Sequence, residues 1–388
     1  MRKTGCLLLV LGLLGGCSSG QNRVERIHED GIEVVLNRTE SVRLKDQPQV
    51  FSLQKEFVID PEDDAMAELG LTDIGGYFDS DSEGNIYLVS PKNEEGYIFQ
   101  FDAGGRFIRS FGRKGQGPGE LQCFGFPGLI TGVDEDGSLF VCNGTRDKLV
   151  FYSSSGEMIR EVKVPPRTAF ALPVGNGLFA VFKIMSDFGD KMLSQGPLTI
   201  TDAEFNDLRD LDRHEFSNPV TGNELVATYH IFAYSLSPGL IFTGFPDKGY
   251  EIRAFDRAGN SMRKIRKEYE AVPVSEEYKS EYMEIWGGPV LEIIRDKIRF
   301  PDVLPPYHAF ISDEEGQLFV MTYEKASEPG AYVYDIFSSD GVFFARTDLK
   351  AYHDENGLYA KIKNGRFFSL VEKDSGFRQL EVSRIVWK

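Results

Sequence analysis

The chain has 388 residues, 41% hydrophobic and 27% charged, and its 60 acidic against 43 basic side chains give a formal charge of −17. Such a surplus excludes nucleic acid and anionic lipid surfaces as electrostatic partners, since both are themselves negative.

The first twenty residues, MRKTGCLLLVLGLLGGCSSG, place Arg2 and Lys3 before an apolar run from Leu7 to Leu14 and then small residues, the layout of a secretion signal. The run is far shorter than the roughly 20 residues of a membrane span. Its ending, Leu14-Gly15-Gly16-Cys17, resembles the lipobox of bacterial lipoproteins. The resemblance implies a signal peptide over residues 1–16, a lipid on Cys17, a tether over residues 17–30 and a place in a bacterial cell envelope, at the outer membrane. Each acyl CH₂ buried in the bilayer would contribute about 0.8 kcal/mol. Loss of Arg2 and Lys3 takes the formal charge from −17 to −19. Cys6 leaves with the signal, so Cys123 and Cys142 are the remaining thiols. They could pair in an oxidising compartment or remain two buried thiols, and both readings stay open.

Beyond the tether no long amphipathic helix dominates. Short runs of Val, Ile, Phe and Tyr alternate with Asp, Gly, Asn and Ser, the pattern of strands joined by hairpins. Two patterns recur. One is Asp-x-x-Gly-x followed by aliphatic, aromatic and aliphatic residues: DSEGNIYL from Asp81, DEDGSLFV from Asp134 and DEEGQLFV from Asp313. The other is an apolar residue, a short polar turn, Gly and a strand: FDAGGRFIRSF from Phe101, FYSSSGEMIREV from Phe151, FDRAGNSMRKI from Phe255 and IFSSDGVFFARTDL from Ile336. Together they describe four antiparallel strands. Gly84 to Gly137 is 53 residues, Gly105 to Gly156 is 51 and Gly156 to Gly259 is 103, close to twice that. A four-stranded unit recurring at about 40–50 residues predicts a β-propeller.

Counting units gives six blades over residues 31–388: Leu71–Phe111, Leu121–Val164, Thr168–Leu211, Tyr229–Ile265, Tyr307–Leu349 and the C-terminal strands from Leu358. The early segment GIEVVLNRTESVRL is expected to pair with the last strands and close the ring, which removes sheet edges. Between blades four and five, residues 273–306 break the rhythm. Ser275 before Glu276 and Glu277 reads as a helix start, Leu291, Ile294 and Ile298 keep helical spacing, and Gly287-Gly288-Pro289 should split the insertion into two short helices. It lies either over the channel or on the rim.

The stretch FGRKGQGPGEL, Phe111 to Leu121, has a glycine density that suggests a phosphate loop. No helix and no Lys-Ser or Lys-Thr pair follows, so the turn chemistry predicts the corner between blades one and two.

The residues GRKGQGPGEL after FDAGGRFIRSF, with the Asp-x-x-Gly turns at 81, 134 and 313, resemble the NHL-type six-bladed β-propellers, most closely bacterial lipoproteins built from one such propeller. The resemblance implies an all-β propeller of four-stranded antiparallel blades but does not fix an activity, because propellers carry lyases, lactonases, sensors and scaffolds alike.

Equivalent positions near the start of each first strand are Tyr77, Phe126, Arg167, His230, His308 and Tyr359, with Lys361 two residues on and on the same face. Tyr77, Arg167, His230, His308 and Lys361 are the expected ligand contacts, a positive patch suited to a carboxylate or uronate. Related amidating lyases bind a metal at the channel mouth through histidines, which would implicate His230 and His308. Zinc wants three protein ligands, and neither His28, His214 nor His353 is placed by the sequence to be the third. The Glu, Asn and Asp set of metal-dependent gluconolactonases cannot be assigned, and no Gly-x-Ser-x-Gly elbow occurs. The favoured expectation is a monomeric, non-catalytic envelope lipoprotein without cofactor, binding a peptide, glycan or protein partner. The alternative is a metal-dependent lyase or lactonase.

Overall fold

The computed structural model describes residues 24–45, 48, 50–93, 95–123, 129–145, 147–183, 185–186, 193–217, 225–226, 233–285, 295–354 and 357–388. It is a six-bladed β-propeller. Blade one is Phe78–Ser80, Ile86–Val89, Ile98–Phe101 and Phe107–Phe111. Blade two runs from Ile130–Val133 to Met158–Lys163, blade three from Thr168–Gly175 to Asp207–Ser217, blade four from Ala233–Ser237 to Ser261–Lys267 and blade five from Ala309–Ser312 to Phe343–Lys350. Within each blade successive strands pair antiparallel.

The repeated turns explain the repeated strands. In the first hairpin of blades one, two and five, the N–H of Asp81, Asp134 and Asp313 donates to the carbonyl four residues on, at 3.0, 2.8 and 3.1 Å. Gly84, Gly137 and Gly316 close these turns at φ +83°, +81° and +80°, a region that L side chains avoid. The aliphatic and aromatic residues that follow then alternate between the two faces of the blade. Each face meets the neighbouring blade, so the core is six apolar clusters, one in each gap between consecutive blades around the ring.

Closure differs from the expectation. Blade six is Ala360–Lys363, Arg366–Glu372 and Arg378–Trp387 with Phe51–Ile59 as its outermost strand, antiparallel to Arg378–Trp387. The earlier strand Ile32–Asn37, part of the segment expected to close the ring, instead lies parallel to Ser261–Lys267 of blade four, and Glu25–Glu29 extends that sheet to six strands. Charge supplies the reason. SMRKIRK of blade four carries four cations, and Glu33 meets Arg263 at 2.6 Å while Glu29 meets Arg266 at 2.6 Å and Lys264 at 3.2 Å. Val34 and Val35, on opposite faces of this strand, are both fully buried.

The insertion between blades four and five contains the helix Glu276–Ile285, started by Ser275, whose Oγ accepts from the Tyr278 N–H at 3.1 Å. A short 3₁₀ turn, Arg295–Lys297, follows. Gly287, Gly288, Pro289, Leu291 and Ile294 lie outside the described residues. Tyr278 and Tyr282 pack with Leu304 on Tyr323 of blade five.

The Gly-rich corner is occupied from within. Glu120 Oε2 accepts from the Gly117 N–H at 2.9 Å and Glu120 Oε1 from Arg113 at 2.9 Å, while the Gly117 carbonyl accepts from Lys148 Nζ at 3.1 Å. These backbone and arginine donors hold the Glu120 carboxyl below the usual carboxylate range, against a smaller opposing effect of burial. The loop supplies its own anion, as a structural corner would.

Candidate functional site

The first strands of all six blades surround a cavity of about 630 Å³ on the propeller axis. At the end where these strands begin, Tyr77 and Tyr359 meet edge to face, ring centroids 6.2 Å apart. His308 is buried, its Nδ1 3.3 Å from the Tyr323 hydroxyl. Its ring lies 5.0 Å from that of His353, which the sequence did not place as a third ligand. Since Tyr323 also carries Tyr278 of the insertion, at 6.3 Å, the helix is adjacent to this end of the channel.

Further in stands a charged group that sequence reasoning missed. Asp79, on the first strand of blade one and 7% exposed, accepts from Lys361 Nζ at 2.8 Å, faces Lys363 Nζ at 3.5 Å and receives the N–H groups of Ser80 and Val133 at 2.8 and 2.9 Å. Burial alone would raise the Asp79 pKa. The two ammonium charges and the donated hydrogen bonds outweigh it and hold the carboxyl below its ordinary value. Burial lowers the Lys361 pKa, with Asp79 opposing. The Lys361 side chain is 39% accessible where it faces the channel. An acid within the strand in YFDSDSEG was the available signal, since a charge at an inward position must find a partner.

The expected contacts are therefore only partly assembled. Tyr77, His308 and Lys361 line the cavity. Arg167 does not. It is exposed, with φ +66°, on the turn before Thr168, and blade three contributes Leu172, Pro173 and Val174 to the wall instead. His230 and Phe126 lie outside the described residues. The positive patch is not formed by Arg167 and Lys361, because Arg167 is outside and Lys361 is matched by Asp79.

At the far end, where the first strands finish, acids predominate. Asp134, Glu135, Asp313 and Glu314 line the wall with Arg257, which reaches from blade four to pair with Glu135 of blade two. Glu314 Oε2 accepts from the Asn364 N–H at 2.6 Å, and the Asn364 amide donates to the Asp81 carbonyl at 2.8 Å, linking blades five, six and one.

Among the described residues no group of three or more His, Cys, Asp and Glu side chains could hold a metal ion. Cys123 and Cys142 form no disulfide. Cys142 packs in the cluster between blades two and three, whereas Cys123 packs in the cluster between blades one and two. The two sulfurs thus lie on opposite faces of one sheet and are not bonded.

No curated protein matches the chain. A DUF4221 family protein from Bacteroides vulgatus has a similar structure, with a TM-score of 0.52 at 13% identity over 88% of this chain and 100% of that one. A gluconolactonase from Xanthomonas campestris gives a TM-score of 0.39 at 12% identity over 88% and 100%, and virginiamycin B lyase from Staphylococcus aureus 0.37 at 8% over 87% and 100%. At these identities the likeness concerns the fold alone. The domain family DUF5128, described as a 6-bladed beta-propeller, matches residues 80–271, from the first strand of blade one to the end of blade four, and agrees with the architecture seen here.

Proposed function

We propose that the protein is a lipoprotein of a bacterial cell envelope, held to a membrane through Cys17, and that its NHL-like propeller is a non-catalytic binding module for a peptide, a glycan or a segment of a partner protein. The observation that carries the module reading is the axial cavity, about 630 Å³ and walled by all six blades, within the range of small-ligand sites. Charges fixed in its wall would orient what enters. The anchor rests on the sequence, on the charged start, the short apolar run and Leu14-Gly15-Gly16-Cys17.

Two measurements test the two halves. Expressed in a bacterial host, the parent should be found with membranes and Cys17→Ser should not be; equal fractionation of the two would remove the anchor. Thermal-shift screening with amine, acidic, neutral-sugar and peptide probes should find at least one stabilising class, and no shift with any class would remove the module.

A metal-dependent lyase or lactonase is the second reading, favoured by the contact between His308 and His353. Two imidazoles are one short of the three protein ligands of a catalytic zinc site. A stoichiometric metal in the purified protein would establish this reading over the first.

A further inference from the structure

The same turn occurs in blades one, two and five, and its aspartate is treated differently in each. In blade one, Asp81 is saturated: Oδ1 accepts from the N–H groups of Glu83 and Asn85 at 3.0 and 2.9 Å, and Oδ2 from the Asn85 amide at 2.9 Å and the Tyr87 hydroxyl at 3.0 Å. At the Asn85 position blades two and five have Ser138 and Gln317, and at the Tyr87 position they have Phe140 and Phe319. The phenylalanines have no hydroxyl to give, and neither the Ser138 nor the Gln317 side chain is hydrogen-bonded to the second oxygen. Ser138 turns its hydroxyl to Asp136 at 2.5 Å. The hydrogen bonds that remain are to Oδ1, from the Glu135 N–H in blade two at 2.8 Å and from Glu315 and Gln317 N–H in blade five at 3.1 and 2.8 Å.

Asp134 and Asp313 line the cavity and Asp81 does not. Asp313 is 9% exposed, and among the described residues no basic side chain is within ion-pair distance of either acid. Of the other wall charges, Asp79 is matched by Lys361 and Lys363 and Glu135 by Arg257, while Glu314 accepts from the Asn364 N–H. Burial, with Glu315 and Glu314 nearby, pushes Asp313 up to about 6, and burial raises Asp134. Asp313 is an enclosed acid with no basic side chain in ion-pair contact, whereas Asp134 is partly exposed and has Arg160 as a more distant favourable charge; a cation between the two would offset the burial of both. Phe140, Phe310 and Tyr234 in the same wall add aromatic surface that favours an alkylammonium. Blades two and five are three places apart in a ring of six, hence on opposite sides of the axis.

We propose that the far half of the channel binds a primary-amine ligand, a diamine or polyamine in preference, with Asp134 and Asp313 receiving its ammonium groups. The proposal rests on the channel being a binding site and names its ligand class, the reverse of the acidic ligand that the sequence suggested.

The test is calorimetry of the purified protein with spermidine at pH 7.5, alongside fully N-acetylated spermidine, glucuronate and a neutral sugar. Spermidine should bind and its acetylated form should not. Asp134→Asn and Asp313→Asn should each weaken binding about tenfold or more, the scale of a charge-assisted hydrogen bond. Asp81→Asn should leave it unchanged. Phe319→Tyr, which restores the hydroxyl that Tyr87 supplies in blade one, should weaken binding while raising thermal stability, so the result does not depend on a variant that merely unfolds. Spermidine binding equally to the parent and to both Asn variants would overturn the proposal. Heat from glucuronate or sugar alone, lost in Lys361→Met, would overturn the amine class and leave the binding module standing. Absence of heat with every probe would overturn both.

Discussion

Gly137 and Gly156 hold the same backbone conformation, φ +81° and +80°, in different surroundings. A Cβ on Gly137 would meet nothing within 4 Å, whereas one on Gly156 would lie 2.9 Å from the Phe111 ring of the preceding blade. Gly137→Ala should therefore cost about 1 kcal/mol, from the left-handed backbone alone. Gly156→Ala should cost about 1–3 kcal/mol more, from overpacking between blades. Urea denaturation of the two variants would check this, and equal losses would mean that the ring at Phe111 yields freely. Such glycines were legible in the sequence because no other residue takes that conformation cheaply. Blade three was less legible for the same reason: its corresponding turn has Phe205 at φ +60°, kept there by stacking on Phe179 with centroids 5.0 Å apart. Asp79 was illegible because its partners, Lys361 and Lys363, are almost 300 residues away and meet it only after the ring closes.

At the scale of elements, the hairpin of Glu25–Glu29 and Ile32–Asn37 is held to blade four by a parallel backbone ladder, two buried valines and a row of ion pairs. Hydrogen bonds from Arg266 and then Lys264 hold the Glu29 pKa down to about 2, and those from Arg26 and Arg263 lower that of Glu33. A carboxyl whose folded pKa is depressed contributes stability above its unfolded value and loses it as pH falls toward the folded one. The hairpin should therefore lose its hold between about pH 4.5 and pH 2. Hydrogen exchange, corrected for intrinsic rates, should show protection of residues 25–37 falling in that window before protection of 251–267. Simultaneous loss of both, or no loss, would contradict the charge account. Both N-terminal strands, Ile32–Asn37 and Phe51–Ile59, are short and half apolar, so alternation alone did not tell which of them closes the ring. The cations of SMRKIRK were a readable signal that favours the first for blade four. By contrast, the interrupted rhythm at 273–306 and the helix start at Ser275 were legible, because capping chemistry is local.

The whole molecule was legible through its period, since a four-stranded unit at near-constant spacing leaves few architectures besides a ring. The channel's chemistry was not. Which strand positions face the axis depends on how far each strand advances before its turn, and this placed Arg167 outside the wall and brought Asp134 and Asp313, which read as turn residues, inside it. The comparison of three equivalent turns then separates the aspartate that serves the fold from the two that face the channel. The most direct measurement is a crystal structure of the protein grown with spermidine. The account predicts ammonium nitrogens within about 3 Å of the Asp134 and Asp313 carboxylates, the length of a charge-assisted hydrogen bond. Spermidine bound elsewhere, or a channel holding only water at saturating spermidine, would contradict it.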